Sequence, residues 1–206
     1  VNAYYNSSFN EIVFPAGILQ APFFDANADD AVNYGGIGAV IGHEISHGFD
    51  DQGSKYDAEG VLRNWWTDAD RMNFDGRTND LVEQFSTYSP IPGLNVNGRL
   101  TLGENIADLA GLTVTQAAYH LSLNGAEPPV IDGFTGDQRL FLGYAQVWRF
   151  KATEAALRQR VLSDSHSPPE FRINGIVRNV DAWYDAFKVA PGDKLYLAPA
   201  SRVHLW

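Results

Sequence analysis

The first part of the chain is patterned like short strands rather than helices. Apolar and β-forming residues run or alternate over residues 2–5 and 12–14, and Pro15 and Gly17 then interrupt the pattern. Such short apolar runs bounded by turn residues are typical of strands. The sequence therefore predicts a short β region at the N-terminus.

The remainder of the chain shows helical periodicity, with apolar residues returning every three to four positions. Thr67 is suited to cap one helix, because its hydroxyl can accept a hydrogen bond from a free backbone N–H. The pair Pro168-Pro169 is expected to end regular structure. These patterns predict an α+β fold that is mostly helical. The predicted helices cover residues 39 to about 49, 67 to about 88, 102 to about 123, 137 to about 162, and 181 to 187.

Size and composition indicate one globular unit. The 206 residues are 45% hydrophobic, and they show neither an internal repeat nor a low-complexity linker. We therefore expect residues 1–206 to form a single domain. Since the sequence begins with Val1 in an apparent strand, we also expect it to be a fragment of a longer protein.

Charge and residue usage exclude several function classes. A net charge of −10, with 25 acidic and 15 basic residues and no Lys/Arg stripe, argues against nucleic acid as a partner. No apolar run approaches the roughly 20 residues of a membrane-spanning helix. Because the chain has no Cys, any zinc site must use His, Asp or Glu.

The strongest chemical signal is the segment from His43 to His47, which has the pattern HExxH within a predicted helix. Residues four apart share one helix face, so the two imidazoles can converge on one metal ion. Glu44 then lies beside the metal, where it can act as a general base toward a metal-bound water. Chance occurrence on an ordinary helix is the competing interpretation.

A catalytic zinc needs a third protein ligand and one open position. Glu104 is the best candidate, because Glu104 and Asp108 lie four apart on a second predicted helix. Asp108 would then hydrogen-bond a metal-bound histidine and fix its orientation. A competing interpretation is that Thr101 and Glu104 form a capping box, which needs this same spacing.

The chain resembles the C-terminal catalytic portion of the neprilysin and endothelin-converting enzyme family over nearly its whole length. The matching segments carry an ordered set of motifs rather than HExxH alone. They are residues 1–5, 12–19, 33–38, 40–51, 102–108, 145–148, 164–168 and 171–172.

This resemblance implies a thermolysin-like zinc endopeptidase domain with one zinc ion. The family's zinc ligands match His43, His47 and Glu104, and its general base matches Glu44. The family's carboxylate that hydrogen-bonds a zinc-bound histidine matches Asp108. An acidic family position near the metal helix matches Asp50, whose partner the sequence does not indicate.

The resemblance also implies a substrate site that cleaves small peptides on the amino side of large apolar residues. Asn2 and Ala3 match an edge-strand pair that binds the peptide backbone, which is strand addition. His166 matches an oxyanion donor, and Arg172 matches a group that binds a substrate carbonyl. If the resemblance is left aside, an ordinary structural role is the preferred interpretation for Asn2, His166 and Arg172. The apolar pocket implied is Ile18, Phe23, Val40, Val147 and Trp148.

Departures from the family pattern limit what carries over. Vertebrate members have disulfides and a membrane anchor, whereas this chain has no Cys and ends like bacterial members. An exported, periplasmic or cell-surface location is expected, with a cytoplasmic one also open. The family's helical N-terminal portion, which covers the cleft, would be a partner of this segment. Alternatives are a zinc-binding domain that binds peptide without cleaving it, and a purely structural metal site.

Overall fold

The computed structural model describes residues 1–205, which form a small hairpin followed by eight helices. The predicted α+β, mostly helical class is confirmed. The strands are β1 (Tyr4–Asn6) and β2 (Glu11–Val13). The helices are α1 (Asp30–Asn33), α2 (Ala39–Ser46), α3 (Asp68–Ser86), α4 (Leu102–Ser122), α5 (Gly136–Val147), α6 (Glu154–Ser163), α7 (Pro169–Val177) and α8 (Asp181–Phe187).

The hairpin begins two residues later than the sequence predicts. Strands β1 and β2 pair antiparallel, with Tyr4 opposite Val13 and Tyr5 opposite Ile12. Continuing this register would set Asn2 opposite Pro15, which has no backbone N–H to donate. Asn2 and Ala3 therefore precede β1 and lie outside the paired strand.

Helix α2 carries the HExxH segment and is part of a longer helical run than predicted. The run starts with α1, continues through a π-helical turn at Tyr34–Gly38, and ends in a 3-10 turn at His47–Phe49. Glycine allows the π-helical turn to approach α5, because a side chain on Gly35 would overlap the carbonyl of Leu140. The turn is thereby fixed against the rest of the core.

Helices α3 and α4 begin differently, although both follow a threonine. The Thr67 hydroxyl accepts from the backbone N–H of Asp70, as expected of a cap. The capping box at Thr101 is wrong, since its side chain makes no capping bond. Its hydroxyl instead donates to the carbonyl of Asn97 and accepts from the Asn105 amide.

The C-terminal half departs from the sequence prediction at two places. The single helix expected over residues 137–162 is two helices, α5 and α6, which are separated by residues 148–153. The proline pair does not end regular structure, because Pro169 is the first residue of α7. Proline is well tolerated there, since the first helical N–H has no intrahelical acceptor. Helix α8 lies where it was predicted.

The core is built around α4, which contacts α2, α3, α5 and α7. Its closest approach is to α2: a Cβ on Gly42 would lie 2.7 Å from the carbonyl oxygen of Gly111. A second small apolar cluster under the hairpin contains Ala3, Ile18 and Ile37. None of the helices in the described residues 1–205 has the length and apolar character needed to cross a membrane.

Candidate active site

Helix α2 presents His43 and His47 on one face. Their Nε2 atoms lie 3.0 Å apart, and the ring planes are perpendicular. Two nitrogens bound at about 2.0–2.1 Å to one tetrahedral zinc ion would lie about 3.3 Å apart. The pair is therefore already close to the separation that one metal ion requires.

Each imidazole has a carboxylate on its far side. The Nδ1 atom of His43 is 2.8 Å from Asp108 Oδ1, and that of His47 is 2.7 Å from Asp50 Oδ2. A carboxylate accepts but cannot donate, so both Nδ1 atoms carry the proton. If both rings were neutral, each Nε2 would direct a lone pair at the other, an arrangement that a metal ion or a proton between them relieves.

Glu104 enters from α4 and faces the same point. Its Oε2 lies 3.2 Å from His43 Nε2, and its Oε1 lies 3.8 Å from His47 Nε2. Oε2 is buried and no donor is well aligned with it, although the Nε2 atoms of His43 and His166 each lie 3.2 Å away. A buried carboxylate oxygen without a well-aligned donor is costly, and a metal ion would satisfy it. Two imidazoles and one carboxylate are a donor set that fits zinc with one position left open.

Glu44 is a second carboxylate near the imidazoles. One of its oxygens lies within 4.8 Å of ligand atoms of both His43 and His47. Burial raises the pKa of Glu44, which favours acceptance of a proton. Burial also acts on Glu104, but the contacts with His166 and His43 outweigh it and lower the pKa of Glu104. The environments of the two glutamates therefore favour a base at Glu44 and an ionised ligand at Glu104.

The metal-free imidazole at position 43 strongly favours its protonated form. Burial lowers the pKa of His43, but the contacts with Asp108 and Glu104 outweigh it and raise the pKa to about 9. The carboxylates around the two rings thus favour a positive charge between them. A proton supplies that charge in the absence of metal.

Arg172 binds the Asp108 carboxylate from the other side. Its Nε and Nη2 each donate to an Asp108 oxygen at 2.7 Å. The guanidinium carbon lies 3.8 Å from the centroid of the Trp148 ring, and the Tyr144 hydroxyl donates to the Arg172 carbonyl. Burial disfavours the Asp108 anion, but Arg172 and His43 lower the pKa of Asp108. This buried pair fixes the carboxylate that orients His43.

His166 approaches Glu104 and the two imidazoles from the segment between α6 and α7. Its Nε2 lies 3.2 Å from Glu104 Oε2, while its Nδ1 is 2.8 Å from Asp164 Oδ1. The Glu104 carboxylate raises the pKa of His166, which favours the ring as a hydrogen-bond donor. The His166 side chain is 40% exposed, so it is accessible from the cleft.

All fourteen residues that the sequence assigned to the site line one cavity of about 430 Å³. The three predicted metal ligands and Glu44 lie together there with Asp108, His166 and Arg172. Asn2 and Ala3 reach it from just before β1. The predicted apolar residues also line it and are Ile18, Phe23, Val40, Val147 and Trp148.

Three residues at the site had no role in the sequence prediction. Asp50 had been singled out without a partner, which is His47. Asp164 and Tyr144 had been given no role, although Asp164 lies in a segment that matches the family and Tyr144 directly precedes another. Asp164 precedes His166 by two residues, a spacing at which Asp commonly binds the backbone, as it does here at 2.9 Å. Tyr144 lies one turn before Trp148 and gave no signal beyond core periodicity.

Comparison with known proteins identifies relatives along the full chain. The model of peptidase family M13 matches residues 2–203. Neprilysin-11 of Caenorhabditis elegans is 50% identical over 193 residues, which cover 91% of this chain and 23% of that protein. Human endothelin-converting enzyme 1 is 46% identical over 210 residues, which cover 100% of this chain and 27% of that protein.

A solved structure has the same fold. The Mycobacterium tuberculosis zinc metalloprotease Zmp1, in complex with an inhibitor, superposes with a TM-score of 0.98 at 60% identity. The match covers 100% of this chain and 32% of that one. The chain thus spans about a quarter to a third of the length of these relatives. From the family model, the identities and the shared fold together, the chain belongs to peptidase family M13, whose members are zinc-dependent metallopeptidases.

Proposed function

We propose that this chain carries the active site of a zinc-dependent endopeptidase, with one zinc ion held by His43, His47 and Glu104. One observation carries the proposal: two imidazole Nε2 atoms and a buried carboxylate oxygen without a well-aligned donor face one point in a cleft. A second carboxylate, Glu44, lies beside that point. A closed structural metal site would need a fourth protein ligand.

Glu44 is the proposed general base. Zinc, when bound, lowers the pKa of a coordinated water and polarises a carbonyl oxygen. Glu44 accepts the proton of the attacking water and then passes it to the departing amine of the peptide. Its raised pKa suits both transfers, because the group must be ionised first and protonated second.

His166 is the proposed donor to the oxyanion that forms at the scissile carbonyl. Its Nδ1–H is directed to Asp164, which leaves Nε2 pointing toward the metal position. A protonated ring can donate from Nε2, and the raised pKa of His166 favours that form. Donors of this kind typically contribute about 3–4 kcal/mol to transition-state stabilisation.

The proposed substrates are small peptides cut on the amino side of a large apolar residue. Asn2 and Ala3 lie beyond the last strand pair of the hairpin and line the cleft, where an extended peptide backbone can bind. Val147 and Trp148 meet Ile18, Phe23 and Val40 around the cavity, which suits a Leu or Phe side chain. Arg172, held by Asp108, is the proposed cation for a substrate carbonyl.

The relatives are three to four times longer than this chain. We therefore propose that full activity requires additional chain that covers the cleft, and experiments are best made on the full-length protein loaded with zinc.

The test is Glu44→Gln, which keeps the size of the side chain but removes its basicity. We expect zinc content and melting temperature to stay the same, while kcat for an apolar-residue peptide falls at least about a hundredfold. Glu83→Gln, at an exposed position of α3, is the matched control and should retain full activity.

Three other outcomes would contradict the assignment. Near-normal cleavage by a folded, zinc-loaded Glu44→Gln protein would remove Glu44 from the mechanism. A wild-type protein that binds zinc and peptide but leaves the peptide intact would favour a binding domain over an enzyme. Loss of zinc from the Glu44→Gln variant would instead identify Glu44 as a ligand.

A further inference from the structure

A buried chain of polar side chains lies behind the site, and the proposed chemistry does not use it. The Ser167 hydroxyl donates to Asn105 Oδ1 at 2.8 Å, and the Asn105 amide donates to the Thr101 hydroxyl at 2.9 Å. Ser167 and Asn105 are each only 1% exposed. Water therefore cannot readily replace either hydrogen bond if it is broken.

These hydrogen-bonded side chains lie next to the residues of the site in sequence. Asn105 directly follows Glu104 on α4, and Ser167 directly follows His166. The Ser167–Asn105 hydrogen bond thus joins α4 to the segment 164–168 at the residues next to two functional side chains. Across the same gap, His166 Nε2 and Glu104 Oε2 are 3.2 Å apart.

The other contacts of His166 orient the ring without fixing that gap. Asp164 accepts from both the backbone N–H and the Nδ1 of His166, but it belongs to the same segment. Asp164 is in turn bound by Arg160, at 3.0 Å, from the end of α6. These contacts determine the rotation of the ring, whereas a bond to α4 determines its distance from the metal ligands.

We propose that the Ser167–Asn105 hydrogen bond positions the His166 imidazole relative to Glu104, and that Ser167 and Asn105 are positioning residues for oxyanion stabilisation. This inference rests on the proposed peptidase function. A displacement of about 1 Å at a reacting group can cost up to about a hundredfold in rate. A modest shift of segment 164–168 is therefore sufficient to weaken the donor.

The primary test is Ser167→Ala in the full-length, zinc-loaded protein. It removes the donor, adds no atoms and leaves Asn105 Oδ1 without its partner. We expect kcat to fall about tenfold, part of the 10²–10³ that loss of a whole oxyanion donor costs. KM and zinc stoichiometry should remain within about twofold, since neither the ligands nor the apolar pocket is changed.

A double-mutant cycle with His166→Ala separates positioning from general destabilisation. If Ser167 acts through His166, Ser167→Ala should change kcat by less than about twofold when the imidazole is already absent. An equal loss in both backgrounds, or no loss in either, would overturn the proposal.

Asn179→Ala is the matched control for a buried amide away from the cleft. Asn179 is 2% exposed and bonds to Gln84 and the Gly175 carbonyl. It should lower the melting temperature at least as much as Ser167→Ala does, while kcat stays within about twofold. A tenfold fall in kcat for this control as well would assign the Ser167 effect to lost stability and reject the positioning role.

A second readout does not depend on turnover. Calorimetry can measure binding of a phosphinate peptide analogue to the wild type, the two single variants and the double variant. The tetrahedral phosphorus of this analogue carries two oxygens, which imitate the tetrahedral intermediate. Coupling between Ser167 and His166 in binding, in a protein that does not cleave peptides, would reject the proposed function and retain the positioning role. A protein that cleaves peptides but shows no coupling in either readout would retain the proposed function and reject the positioning role.

Discussion

At the scale of single residues, two aspartates give His43 and His47 the same tautomer, with the proton on Nδ1. Asp108 and Asp50 each bind an Nδ1, so both Nε2 atoms face the proposed metal position. The two carboxylates differ in their own support, because Asp108 is held by Arg172 whereas Asp50 accepts from the backbone N–H groups of Gln52 and Gly53. The tautomer of His43 is therefore fixed through Arg172 of α7, and that of His47 through the turn at Gln52 and Gly53.

We predict that zinc binding to the metal-free protein releases a proton from His43. The raised pKa of about 9 means that the ring is protonated at pH 7, and a metal ion can bind only the deprotonated nitrogen. Apparent zinc affinity should therefore weaken by about tenfold for each pH unit below 9. Calorimetry in buffers of different ionisation enthalpy measures the proton directly.

The companion variant for this prediction is Asp108→Asn, which removes the charge that raises the pKa of His43. Both the proton release at pH 7 and the pH slope should become smaller, and zinc affinity should weaken by about 10–100-fold. Asp80→Asn, exposed on α3, serves as the control. Zinc binding that is independent of pH between 6 and 8 would contradict the assignment of His43 as a ligand.

Local sequence patterns predicted most of the proposed metal site, and the reason is spacing. His43 and His47 lie four residues apart on one helical run, so their common face follows from periodicity alone, and Glu44 lies beside that face. Glu104 could not be assigned in this way, since the same position suits a capping box. Only the fold shows that its carboxylate faces the imidazoles while Thr101 bonds to Asn97 and Asn105. The partners of Asp50 and Arg172 likewise depend on tertiary contacts.

At the scale of helices, the contact between α2 and α4 determines the geometry of the site. It brings together a helix that carries two imidazoles and a helix that carries Glu104 and Asp108. Gly42 and Gly111 allow the two backbones to touch. Helix identities were mostly predictable from periodicity, whereas this crossing was not, because a glycine in a helix gives no indication of what approaches it.

Gly111→Ala should disturb both stability and metal binding. The new Cβ would lie 2.5 Å from the backbone nitrogen of His43, so the two helices must separate. We expect a loss of about 1–3 kcal/mol in unfolding free energy, as for other overpacked sites. Zinc affinity should weaken at the same time, because Glu104 moves away from the histidines.

The matched control should change the free energy of unfolding in the opposite direction. Gly76 lies on the exposed face of α3, and a Cβ there would meet nothing within 4 Å. Gly76→Ala should stabilise the protein by about 0.5–1 kcal/mol through helix propensity. Chemical denaturation of both variants measures the two values. Equal effects of Gly76→Ala and Gly111→Ala would show that the helix crossing is not tight.

At the scale of the whole molecule, we expect the zinc site to contribute to global stability. Zinc present at a thousand times its dissociation constant stabilises the folded state by about 4 kcal/mol. For a unit of about 200 residues that unfolds by itself, that corresponds to roughly 10 °C in melting temperature, and the shift is smaller for a longer protein. Calorimetry before and after chelation, followed by zinc replacement, measures the shift.

His47→Ala provides the control, because a site without this ligand should bind zinc weakly. Its melting temperature should respond little to chelation. A wild-type protein that melts at the same temperature with and without zinc, with removal verified by elemental analysis, would contradict tight zinc binding to the folded state.

The direct backbone contact of Gly42 with Gly111 has a consequence for how this protein can change over evolutionary time. Where large side chains separate two helices, each core substitution shifts the spacing between them. Here main-chain atoms set the spacing, so substitutions elsewhere in the core can accumulate without altering the distance from His43 to Glu104. Among the positions that set the spacing of these two helices, Gly42 and Gly111 should therefore tolerate substitution least.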